Sequence, residues 1–82
     1  MAWFDYLWLE GEEGNIEHIA QHDLTPEEVQ YVIEHYSRES VSHSSGRPVR
    51  FGYTPDGRYI AVVFECIDET TLYPITAFET ED

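Results

Sequence analysis

Seventeen acidic side chains against four arginines and no lysine give this 82-residue chain a formal net charge of −13, a field that repels nucleic-acid phosphates and anionic membranes and favours basic partners. Hydrophobic residues at 41% and aromatic residues at 15% exclude a disordered segment, and the length predicts a single domain (1–82) whose thin core buries about 60–65% of the unfolded surface. The one cysteine, Cys66, excludes an internal disulfide framework and fits a cytoplasmic, reducing compartment.

The opening run "MAWFDYLWLE" has no basic leader and carries Asp5, so it reads as a strand rather than a signal peptide or membrane span. Phe4, Tyr6 and Trp8 share one of its faces, and Trp3, Asp5, Leu7 and Leu9 the other. A first helix is expected from Glu12 to His22, with Ile16, Ile19 and Ala20 inward and Asn15, His18 and His22 along its border. "LTPEEV" starts a second helix: Thr25 can accept from the Glu28 N–H, Glu28 can reach back, and Pro26 sits where a missing donor costs nothing. Val29, Val32, Ile33 and Tyr36 then mark the side that lies on a core.

The Ser-rich stretch 37–47 reads as a long loop. "VRFGYTPDGRYIAVVFECI" follows as a hairpin around Pro55-Asp56-Gly57, with Gly57 in the left-handed region. In that register Thr54 faces Arg58, and Arg50, Gly52, Thr54, Arg58, Ile60, Val62 and Phe64 share one face. "TLYPITAFE" makes the last strand, with Pro74 at an edge or a bulge, and "ETED" is expected to fray. The order β-α-α-β-β-β predicts an α+β fold, two N-terminal helices packed on one face of a small antiparallel sheet.

Few residues offer chemistry. His18 and His22 have the i, i+4 spacing of a two-imidazole metal site, but Ile19 stands where a zinc-protease helix has glutamate and no third ligand follows, so neither metal nor other cofactor is assigned. Three of the four arginines, Arg47, Arg50 and Arg58, surround the hairpin. Gly52 between Arg50 and Arg58 leaves a gap that suits a phosphate or carboxylate, while simple pairing with nearby acids is the plainer reading. Cys66, expected on a buried strand beside Phe64 and Ile67, reads as an inert thiol.

The segments "WLEGEEGNIEHIAQHDLTPEEV", "RFGYTPDGRYIAVVF" and "YPITAFE" together resemble the BrnT-type toxins of bacterial toxin-antitoxin modules, small relatives of the RelE-like ribonucleases. Trp8, Asn15, His22, Leu24, Glu28, Arg50, Gly52, Gly57, Arg58, Ile75 and Ala77 fall on matching positions, over most of the chain. The resemblance implies a RelE/BrnT-like fold and RNA cleavage, with Arg50 and Arg58 clamping phosphate and His22 as acid-base; Asn15, His18 and Arg47 are the accompanying substrate-contacting candidates. Phe78 stands where the family's closing arginine is expected, Glu17 at or near its lysine, and "ETED" in place of a basic tail. Two readings follow: a weak endoribonuclease toxin, for which the −13 charge disfavours RNA, or a non-catalytic acidic module on the same fold that binds a cognate antitoxin or another basic protein.

Overall fold

The computed structural model describes residues 5–81, and the strand positions expected at Trp3 and Phe4 lie outside them. It is an α+β fold of two helices and a five-stranded sheet: β1 (Asp5–Tyr6), α1 (Asn15–Ala20), α2 (Pro26–Glu34), β2 (Arg38–Val41), β3 (Pro48–Tyr53), β4 (Tyr59–Cys66) and β5 (Thr71–Glu79). The strands lie in the order β1-β5-β4-β3-β2. Four are antiparallel neighbours, but β1 runs parallel to β5, so the sheet is mixed rather than antiparallel as expected. The two-residue β1 pairs with β5 through Asp5 and Tyr6, the Leu7 N–H still donates to the Leu72 carbonyl over 2.9 Å, and the chain then leaves the sheet toward α1.

The hairpin register is the expected one. Gly52 pairs with Ile60 and Arg50 with Val62, the Thr54 N–H donates to the Arg58 carbonyl over 2.8 Å, and Gly57 has φ +91°. Gly57 can hold this left-handed turn because it has no Cβ to clash. Between β4 and β5 the register shifts at Val63/Phe64, leaving Ile75 as the extra residue beside Pro74; the proline sits at a bulge, where its missing N–H is tolerated.

Both helices lie on one side of this sheet. Thr25 and Glu28 form the complete capping box, and Val29, Val32 and Ile33 of α2 are buried against Ile60, Val62 and Phe64. Ile19 from α1 and Leu72 and Ala77 from β5 complete that core.

Several expectations change. The first helix is six residues long instead of running from Glu12 to His22; Ala20 is exposed, and Asn15, expected at the border, is buried with Ile19. Tyr36 lies beyond the end of α2 and is exposed. Residues 38–41 of the expected loop form β2, an exposed strand with no apolar alternation, held by backbone pairing to β3. Cys66 is exposed at the end of β4. Glu79 belongs to β5, and the Thr80 N–H donates to the Tyr59 carbonyl over 2.9 Å, so these two residues are held where fraying is expected.

Candidate functional site

Arg50 and Arg58 project from the same side of the hairpin, toward the helices, and each grips one end of α2. Arg50 Nη1 donates to the Ile33 carbonyl over 2.8 Å, satisfying a C-terminal carbonyl that has no partner within the helix. Its Nε donates to Glu39 over 2.8 Å, and its guanidinium lies 4.2 Å from the Tyr36 ring centroid and 5.2 Å from that of Phe64. At the other end, Arg58 Nη2 donates to Glu28, the acid of the capping box. Arg58 Nη1 reaches the Asp23 carbonyl over 2.7 Å, bracing the inter-helix turn where Asp23 adopts φ +60°. Its Nε contacts both Asp56 oxygens at 3.1 and 3.2 Å. Asp56 and then Glu28 raise the pKa of this guanidinium above its ordinary value. The Thr54 hydroxyl, ahead of Arg58, holds the Asp56 carboxyl below its own.

The space expected at Gly52 is occupied. A Cβ built there would stand 3.3 Å from both Tyr36 Cα and Val32 Cγ1, so the glycine lets the helix and its exit segment lie against the strand instead of opening an anion pocket. The arginine face is thus a dock for α2.

Asn15 is similarly committed. Its Oδ1 accepts from the Leu9 N–H over 2.7 Å, and its Nδ2 donates to the Leu7 carbonyl over 2.8 Å and the Pro74 carbonyl over 2.7 Å. Only 1% exposed, it bridges the chain leaving β1 to the bulge of β5 with both amide hydrogens in use.

His18 and His22 are exposed, His18 on α1 and His22 in the turn after it. No hydrogen bond or ion pair among the described residues joins either to Arg50 or Arg58. The His22 ring lies 6.4 Å from that of Phe78, and no group of three or more His, Cys, Asp and Glu is gathered for a metal among the described residues.

Arg47 stands on the opposite side of the sheet. The side chains of Val49, Phe51, Tyr59, Ala61, Val63 and Phe78 face away from the helices; Val49, Tyr59 and Ala61 are nevertheless buried, while Phe51, Val63 and Phe78 keep part of their surface in solvent. The loop 42–47 borders this face, making a groove of about 610 Å³ with an apolar floor and serines, His43 and Arg47 along one wall. The sequence does not reveal this groove because its wall falls in a polar, Ser-rich stretch with no apolar period, although Arg47 within it is a candidate contact. The alternation Val49, Phe51, Tyr53 was its available signal.

Comparison with protein-family models, with curated proteins and with solved structures finds no match to this chain.

Proposed function

We propose that this chain is a divergent relative of the BrnT-type toxins that has turned its hairpin cations to folding, and that it acts as a non-catalytic interaction module for a basic protein such as a cognate antitoxin. The observation carrying this reading is the occupancy of Arg50 and Arg58: each already donates to a carboxylate and a backbone carbonyl. A phosphate would have to displace those partners and loosen both ends of α2. Charge suggests where a basic partner sits. Residues 10–34 contain eight acids and no arginine or lysine, and Glu10, Glu12, Glu13, Glu17 and Glu27 among them are exposed.

The ribonuclease reading has one favourable observation, the groove on the open face, where Arg47 and aromatic rings lie together. The deciding experiment measures turnover of a single-stranded RNA over a salt series for the parent, Arg47→Ala and Arg58→Ala. The interaction-module reading expects no turnover at any salt, with Arg58→Ala lowering the thermal midpoint. Turnover that rises at moderate salt, as the repulsive field is shielded, and disappears in Arg47→Ala without loss of stability would replace it with the toxin reading.

A further inference from the structure

The groove on the open sheet face combines two features that do not explain one another. Its floor is apolar, and nothing in the helix layer can reach it because the helices occupy the other side. Such a concave surface, at about 610 Å³, falls within the range of small-molecule sites. Along its wall stands a cation whose partner is poorly placed: Arg47 Nε is shielded from solvent without a hydrogen-bond acceptor among the described residues, and Glu65 Oε2 lies 4.0 Å away. Arg38, the other arginine on this face, lies 4.2 Å over the Phe51 ring and adds positive charge beside the floor. In a chain of −13 net charge, two of the four arginines therefore border this face while the other two are committed to α2.

We propose that this groove binds a small organic carboxylate with an aromatic or branched apolar body. The body would lie on Phe51, Val63 and Phe78, and the carboxylate would take the guanidinium of Arg47, drawing it from Glu65 into a closer charge-assisted bond. Ala61 lies between Phe51 and Phe78 in the strand pairing and is buried, so its short side chain keeps the floor between those rings low. A monoanion fits better than a phosphate dianion, whose second charge would meet the protein's negative field with little to offset it. The apolar floor also lacks the donors and acceptors that would read a sugar or a base edge. This site is independent of the interaction-module reading, which concerns the helix layer.

The test titrates the protein with naphthalene-2-carboxylate and with its uncharged counterpart, naphthalene-2-carboxamide, following backbone amide chemical shifts. The carboxylate should saturate shifts in residues 40–49 and 61–63 while leaving α1 and α2 unmoved, and should bind about tenfold more tightly than the amide. Arg47→Gln should remove that tenfold preference and leave amide binding unchanged. Ala61→Leu, which fills the floor, should weaken both ligands, and an unchanged helix signature in its spectrum would establish that it remains folded. Equal binding of carboxylate and amide, a preference that survives Arg47→Gln, shifts confined to the helix layer, or no saturation would each overturn the proposal. So would a short single-stranded RNA that saturates the same amides more tightly than the carboxylate.

Discussion

Val62 and Val63 are neighbours on β4, yet they stand in different environments: Val62 is fully buried beneath the helices, while Val63 is only partly buried on the open face. The same contrast runs across the sheet. On the helix side, apolar side chains interlock and the polar groups beside them are tied down by Asn15, Arg50 and Arg58. On the far side, comparable apolar residues form the floor of a groove and the arginines keep looser company. One face therefore holds the molecule together, and the other carries an open groove. Net charge alone would not have located either role, because the cations are divided two and two between them.

The comparison breaks most severely at Asn15. Asn15→Ala leaves the Leu9 N–H and the Leu7 and Pro74 carbonyls without their side-chain partner, at a cost of about 3 kcal/mol, read as a fall in the urea midpoint. A cost below about 1 kcal/mol would show that water replaces the amide at this seam. Val62→Ala against Val63→Ala tests the two faces directly. The first should cost about 2 kcal/mol by opening a cavity under α2, the second less than about 1 kcal/mol because its surroundings already meet solvent. Equal losses would mean that the open face is covered in solution, and sedimentation of the parent would reveal a second copy.

The smallest expected effects are in pH dependence and involve residues on the helix side or the hairpin turn. Asp56 is held below its ordinary pKa of 3.8, so its contribution is complete above that value and lost as pH falls from there through the lower folded-state value. Asp56→Asn should therefore flatten the acid limb of a stability profile. Tyr6 shows the opposite sign. Burial first, and then its hydrogen bond to Glu34 over 2.8 Å, hold the phenol above its ordinary 10.0, so its contribution is present below that pH and lost as pH rises through the folded-state value. Tyr6→Phe should reduce the alkaline loss, and an unchanged alkaline limb would exclude this coupling.

Much of the scaffold was legible because its signals are local. The capping box needs only Thr25, Pro26 and Glu28, and the hairpin register follows from Gly57 and the alternation on either side. The placement of Arg50 and Arg58 on one face came from that register. Their partners did not: Ile33, Glu39, Asp23 and Glu28 are brought to them by the docking of α2, which no local spacing encodes. β2 escaped notice for a related reason. All four of its residues are exposed, so its strand character comes from hydrogen bonds to β3 and leaves no hydrophobic period.

Sequence by itself determined the α+β class, the second helix and the hairpin with its arginine face, and narrowed Pro74 to an edge or a bulge, because each depends on torsional preference or on alternation within a few residues. Only the tertiary structure decided what those residues do. It filled the gap at Gly52 with the backbone of the helix exit, placed Asn15 against three backbone groups, one of them on a strand residue 59 positions away, and left the groove on the opposite face. The physical reason is that a hydrogen-bonding side chain specifies that it needs partners, while which partners it meets, and which apolar face remains uncovered, depends on how distant elements pack.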